Sequence, residues 1–192
     1  MAGRKQFDVD KALDQVMTLF WQRGYAETSL DHIVSATGLG KGSLYGTFGG
    51  KPELFRRSLD RYAGTYGLQY EAALSGRATP ALAIQAFFDV VLARIADPIL
   101  PGGCLIALSA MAAPTLDEAS RDHVRSLLDR QRQRVQAALE GSTPDAAGLA
   151  LFVVSTNQAL AVMDRAGARA DELAGIASVA VRAVKASTPS TD

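Results

Sequence analysis

The chain has 192 residues, 48% of them hydrophobic, and its 20 basic and 20 acidic side chains leave no net charge at neutral pH. That composition supports a packed core of one large or two small domains, and it excludes both a disordered chain and a protein held on nucleic acid by bulk charge alone. The single cysteine, Cys104, excludes an internal disulfide framework, and the basic start MAGRKQFDVD lacks the apolar run of a signal peptide.

Taken in chain order, the apolar spacing is helical nearly throughout. Ala12, Leu13, Val16, Met17 and Phe20 form an i, i+3, i+4 stripe that predicts a first helix, with Asp8 as its N-cap and Gly24 as its stop. Thr28 and Asp31 have the spacing of a capping box ahead of Leu30, Ile33 and Val34, and Gly38 closes this second helix. A short third helix is expected from Gly40 to Phe48. Gly49-Gly50 breaks it, and Lys51-Pro52-Glu53 starts a long helix to about Ser75, with proline where a first turn tolerates it. Thr79-Pro80 opens a segment to about Ala96. Pro98 and Pro101-Gly102-Gly103 separate it from a short apolar helix, Cys104 to Ala113, which Pro114 ends. Asp117 to Leu139 reads as a long, Arg-rich amphipathic helix. Thr143-Pro144-Asp145 opens an apolar helix to about Ala166. Ala170 to Lys185 is the last helix, before a tail, STPSTD, expected to fray. The expected fold class is all-α with about nine helices. The most apolar stretch, residues 149–163, has polar breaks and falls short of the ~20 residues that span a bilayer. No membrane partner is expected, and the chain reads as soluble and cytoplasmic.

Residues 28–55 carry the most specific signal. Two short helices meet at Gly38-Leu39-Gly40, and the second holds small and hydroxyl residues, an aromatic, and a lysine just beyond it. A core helix has no need of that composition, whereas a helix lying against a DNA backbone does. In a helix-turn-helix the second helix enters the major groove. Gly40 and Gly42 would let the backbone approach DNA, Lys41 and Ser43 would donate to bases or phosphates, and Tyr45 offers a hydroxyl to a phosphate or a ring to a thymine methyl. Thr47 can hydrogen-bond, and Thr28 and Ser29 stand at the start of the preceding helix. Lys51 reads either as a phosphate contact or as an ordinary solvated lysine, and Tyr45 has the alternative of a half-buried core aromatic. Arg4 and Lys5 read as a loose arm near the minor groove. Residues 1–61 carry a net charge of +2 and residues 62–192 a net charge of −2, a small asymmetry in the direction a DNA-binding head requires.

Residues about 8–58 resemble the N-terminal domain of TetR-type transcriptional repressors. The matching pieces are LFWQRGY (19–25), TSLDHIVSATGLGKGSLY (28–45) and the F-x-x-K-x-x-L-F close (48–55). The resemblance implies a three-helix DNA-binding head on a helical ligand-binding body. It also implies a homodimer that binds a palindromic double-stranded DNA operator and lets go when a small molecule binds. It assigns phosphate contacts to Tyr45 and Lys51. Gly46-Thr47 departs from the histidine, tyrosine or arginine frequent there, which bears on the operator code rather than on the fold. The corresponding division is 1–51 for DNA binding and 52–192 for ligand binding and dimerisation.

In the body, Phe87, Phe88, Leu92, Leu108, Met111, Phe152 and Asn157 sit at helical spacing. They read either as core or as the lining of a cavity for a mostly apolar or aromatic effector, with Gln85 and Gln158 as further orienting groups. Cys104 reads either as a small buried residue or as a thiol that senses electrophiles. His32, His123 and one cysteine make no metal set, no cofactor is expected, and no nucleophile elbow, P-loop or catalytic carboxylate pair suggests an enzyme. The run Arg121, Arg125, Arg130, Arg132, Arg134 is interleaved with acids and reads as a solvated face with internal ion pairs. Residues 145–163 and 170–184, dense in small and apolar side chains, are expected to pair with their mates in a four-helix dimer interface. A DNA-binding dimer with no effector is the alternative function.

Overall fold

A computed structural model describes residues 8–188, so Arg4, Lys5 and most of the expected frayed tail lie outside the described residues. Nine α-helices are present among them: α1 Val9–Arg23, α2 Leu30–Thr37, α3 Lys41–Phe48, α4 Lys51–Leu74, α5 Pro80–Ala96, α6 Leu105–Met111, α7 Glu118–Leu139, α8 Ala146–Arg165 and α9 Ala170–Ser187. A short 3-10 turn, Ala113–Thr115, replaces the expected last turn of α6, because Pro114 cannot continue the α-helical ladder.

The starts follow the capping chemistry of the sequence. Asp8, Thr79, Asp117 and Asp145 each accept a backbone N–H from the first turn of α1, α5, α7 and α8. The box at the start of α2 is shifted by one residue from the expected one. Ser29, not Thr28, is the N-cap: its hydroxyl accepts from the His32 N–H at 3.1 Å, and His32 Nδ1 accepts from the Ser29 N–H at 3.2 Å. Thr28 instead turns inward and donates to the Gly24 carbonyl at 2.7 Å. Gly38 ends α2 at φ +68°, a left-handed conformation that glycine adopts without a Cβ penalty.

The helices bury one continuous apolar cluster. In the head, α1 packs on α2 and on the first half of α4, where Phe20 and Tyr25 meet Phe55 at 5.1 and 4.8 Å between ring centroids. Helix α4 then continues without a break into the body, where it packs on α5 and α7; α7 packs on α8, and α5 on α9. Arg61 on α4 grips Asp14 on α1 through two hydrogen bonds of 2.8 and 3.0 Å. The head is thus fixed to a helix that is also a wall of the body.

A second joint holds the end of α1. Trp21 is fully buried, stands edge-on to Tyr62 and Tyr66 of α4 at 4.9 and 5.8 Å, and donates from Nε1 to the Gly102 carbonyl at 3.1 Å. Arg165 at the end of α8 donates to Gly102 at 3.1 Å and to the Trp21 carbonyl at 2.5 Å, while Asp164 accepts the Gly103 N–H at 2.6 Å. The α5–α6 loop therefore ties the end of the head's first helix to the end of α8.

Helix α8 has the expected bounds, but its apolar character extends beyond residues 149–163. It runs for 20 residues with a mean hydropathy of 1.6, long and apolar enough to cross a membrane by those criteria. Ala150, Val153, Val154, Asn157, Leu160 and Ala161 bury one face in the body, whereas Leu151, Phe152, Val162 and Met163 remain exposed on the other.

Candidate functional site

The third helix presents two faces. Leu44 and Phe48 are buried and fix it to the head, while Lys41, Gly42, Tyr45 and Gly46 point outward, with Tyr45 52% exposed. An exposed tyrosine that nothing covers argues against the core reading of that residue. A Cβ built at Gly40, Gly42 or Gly46 meets nothing within 4 Å. The fold itself makes no demand for glycine there, and these positions leave the outer surface of α3 free of side-chain bulk. α3 and α4 both begin at glycine N-caps, Gly40 and Gly50, with no side-chain cap. Such helix starts offer backbone N–H groups and a positive dipole end to a phosphate.

The polar groups around this face are not all free. Lys41 pairs with Asp31 at 2.7 Å across the turn, and both side chains are exposed. The hydrogen bond and charge of Lys41 hold the Asp31 carboxyl below its ordinary range, and Asp31 in turn pushes the ammonium up. With one N–H directed to Asp31, the exposed Lys41 ammonium keeps two further donors turned to solvent. Lys51 lies with its ammonium 4.2 Å above the centre of the Tyr25 ring, and partial burial pushes its pKa down from the usual lysine value. It is not a freely solvated lysine.

Ser29 is exposed at the start of α2, and Ser43 and Thr47 are half-buried on α3. Thr28 does not belong with them, since it is 0% exposed with its hydroxyl spent on Gly24. The capping-box spacing put Thr28 one residue before the observed N-cap, Ser29, and the Thr28 side chain points inward rather than to the outer surface. The sequence reading also passed over Arg57, half-exposed, which donates to the Thr47 carbonyl at 3.4 Å beside the end of α3.

The body holds a cavity of about 300 Å³ between α4, α6 and α7. Tyr62, Tyr66 and Tyr70 form one wall, Ile106 and Leu127 give it apolar surface, and Gln131, Arg130 and Arg134 supply polar groups from α7. Phe87, Phe88, Leu92, Leu108, Met111, Phe152 and Asn157 do not line it. Phe87 and Phe88 are wholly buried core and Asn157 is 1% exposed inside the body, whereas Met111 is 66% and Phe152 42% exposed on the outside. Apolar bulk at helical spacing had marked core and surface rather than cavity. The informative spacing was Tyr62, Tyr66, Tyr70: three aromatics at i, i+4 and i+8 share one helix face. The arginine run is also different from the expected internally paired face. Arg132 pairs within α7 with Asp129, but Arg130 and Arg134 lean toward Asp60 and Glu71 of α4 at 3.9 and 3.8 Å.

Burial pushes the phenols of Tyr62 and Tyr66 above the usual tyrosine value and that of Tyr70 up to about 12, so all three are neutral donors at neutral pH. Behind them lies Arg94 of α5, 4% exposed, with its guanidinium 5.7 Å from the ring centres of both Trp21 and Tyr66. It donates to the Gly103 carbonyl, and its Nε and Nη2 have no hydrogen-bond partner. Cys104 is buried as well, at 4% exposure.

Comparison with known proteins places this arrangement. Residues 12–57 match the family described as bacterial regulatory proteins, tetR family, and residues 80–175 match the tetracyclin repressor-like C-terminal domain. The chain is 33% identical to the HTH-type transcriptional repressor ComR of Escherichia coli (strain K12), over 93% of this chain and 89% of that protein. It is 26% identical to the HTH-type transcriptional regulator YezE of Bacillus subtilis (strain 168), over 90% and 94% of the two chains. Among solved structures, a cysteine mutant of the TetR family regulator CifR, complexed with 26 bp double-strand operator DNA, superposes with a TM-score of 0.87 at 27% identity, covering 93% of this chain and 98% of that one. A TetR regulator from Chloroflexus aurantiacus J-10-FL gives a TM-score of 0.81 at 27% identity, over 91% and 92%. The chain belongs to the TetR family of DNA-binding transcriptional regulators and is not an enzyme.

Proposed function

We propose that the protein is a repressor that binds a palindromic operator as a homodimer and releases it when a small molecule fills the cavity between α4, α6 and α7. The observation that carries the reading is the shared wall. Tyr62 and Tyr66 line the cavity and also hold Trp21, the buried anchor at the end of α1. A ligand that repacks those two rings acts directly on the helix that fixes the head. It lowers operator affinity by the difference in its affinity for the two packings.

In this reading residues 1–51 are the reading head and 52–192 the sensing and dimerising body. Lys41, Gly42, Ser43, Tyr45 and Thr47 of α3 face the major groove, and Gly40, Ser29 and Lys51 meet the flanking backbone. The exposed apolar face of α8, with Leu151, Phe152, Val162 and Met163, and the small outer residues of α9, Gly175 and Ser178, suit a four-helix contact with a second copy. Covering that face also accounts for an apolar helix half-exposed in the single chain. A regulator of DNA works where the DNA is, which supports a cytoplasmic location. The alternative thiol trigger at Cys104 gains nothing from a side chain only 4% exposed, which a reagent reaches only after the packing around it opens. The version with no effector leaves the cavity and its polar wall without a role.

The test is selection of bound sequences from a random duplex pool by the purified protein. Enrichment of an inverted repeat with half-sites about one helical turn, roughly 34 Å, apart supports the reading. No enrichment at low salt contradicts it.

A further inference from the structure

We propose that the cavity takes an organic anion with an aromatic body, such as an aromatic carboxylate, rather than a neutral apolar molecule. This rests on the reading of the cavity as the effector site and names the chemistry of what fills it.

Three observations point the same way. The first is the arginines. Arg130 and Arg134 line the cavity, and neither makes a hydrogen bond among the described residues; their acidic neighbours, Asp60 and Glu71, stand off at 3.9 and 3.8 Å. Both guanidiniums therefore keep their forked donors for a carboxylate, which they match in geometry. Asp60, the one carboxylate in the lining, is already faced by His123 Nε2 at 2.9 Å as well as by Arg130.

The second is Arg94. It is buried behind the tyrosine wall with no carboxylate in ion-pair contact among the described residues; its Nε and Nη2 meet no acceptor at hydrogen-bond distance, and the neutral phenols of Tyr62 and Tyr70 are among the groups that face its charge. Burying an unpaired cation is unfavourable unless something answers its charge. Its field reaches the cavity through Tyr66, over whose ring it stands, in surroundings where water screens little.

The third is the wall itself. The Tyr62 hydroxyl is sealed from solvent beside Cys104 and Arg94, so Tyr62 gives the cavity its ring rather than its donor. Gln131 uses its carbonyl oxygen to accept from Gln158 at 3.1 Å, which leaves its N–H₂ to donate. A carboxylate accepts from the Gln131 N–H₂ and from the two arginines, which a neutral apolar occupant does not. The tyrosine ring faces and the side chains of Ile106 and Leu127 then hold the aromatic body, and the volume of about 300 Å³ suits a molecule of one or two rings.

The test uses 2-naphthoate and its neutral isostere 2-naphthamide, titrated calorimetrically into the full-length protein. The expected result is naphthoate binding at least about tenfold tighter than the amide, a difference that shrinks severalfold in R134Q and in R130Q. Both variants remove polar atoms without opening the core, and their melting temperatures check that the fold is kept. Equal binding of the two probes, binding of neither, or a preference that survives both substitutions overturns the proposal. Operator release is read separately on the same samples. If naphthoate binds preferentially but leaves the operator complex intact, the ligand class stands and the effector reading of the cavity fails.

Discussion

Replacing Trp21 by phenylalanine tests the joint between cavity and head. The substitution removes the Nε1 hydrogen bond to Gly102, but that carbonyl keeps Arg165 Nε at 3.1 Å, so no acceptor is orphaned. The cost of the lost bond is then about 1 kcal/mol. The missing second ring leaves a void against Tyr62 and Tyr66, which adds roughly 1–2 kcal/mol, well below the ~3–5 kcal/mol of a full truncation to alanine. A total of about 2–3 kcal/mol corresponds to a fall in Tm of roughly 5–10 °C for a chain of this size. Calorimetric melting of wild type and W21F measures it. Operator titrations with and without a cavity ligand measure the second consequence, a smaller ligand effect on DNA affinity, because the edge-on contacts that carry it are loosened. A Tm unchanged within about 2 °C, together with an unchanged ligand effect, would refute the reasoning.

Four further expectations concern other links. T28V should lower stability by about 1 kcal/mol, since it removes the hydrogen bond to the partly buried Gly24 carbonyl, and should leave operator affinity unchanged when measured well below the melting temperature. G46A should raise stability by up to about 1 kcal/mol through helix propensity, because a Cβ there meets no protein atom, yet weaken operator binding if the DNA backbone lies close; denaturant melts and gel shifts read the two signs independently. F152D places a charge on the exposed face of α8 and should shift the protein toward monomer in sedimentation, with little change in the monomer's fold. In an alkaline absorbance titration Tyr62, Tyr66 and Tyr70 should each be less than half ionised at pH 10. Their folded pKa values lie above the unfolded ones, so the folded state holds its protons longer, and stability falls as pH rises above about 10, by up to ~3 kcal/mol for Tyr70 at about 12. Normal ionisation of all three at pH 10 would contradict the buried wall.

The fold was legible because helix starts and stops are written locally. Asp8, Thr79, Asp117 and Asp145 cap where their side chains can reach the next N–H groups, and Pro114 and Gly38 stop what they must stop. Where local chemistry offered two solutions, the sequence could not decide. Thr28 and Ser29 both have the right hydroxyl, and the fold of the turn after α1, which puts the Gly24 carbonyl within reach of Thr28, decides between them. The outward face of α3 was readable from its small and polar residues, because the buried Leu44 and Phe48 set the phase of the helix. The cavity was not readable from apolar bulk. Phe87 and Phe88 fill space, and a cavity is where space is left unfilled, which depends on how α4, α6 and α7 meet. The tyrosine spacing on α4 and Arg94, the one basic residue of α5, were the available signals. Arg130 and Arg134 were misjudged because their acidic neighbours in sequence are not the residues they face across to α4.

The central claim is that occupancy of the cavity decides whether two heads fit one face of a duplex. The direct measurement is the distance between the heads, by spin labels on the exposed Ser35 of α2 in an S35C/C104S dimer, free, on operator, and with a ligand that releases operator. The account predicts that the ligand moves the distance distribution away from the operator-bound one by several ångströms, with the free dimer overlapping the bound one. Identical distributions in all three states, with the ligand still releasing the DNA, would contradict it.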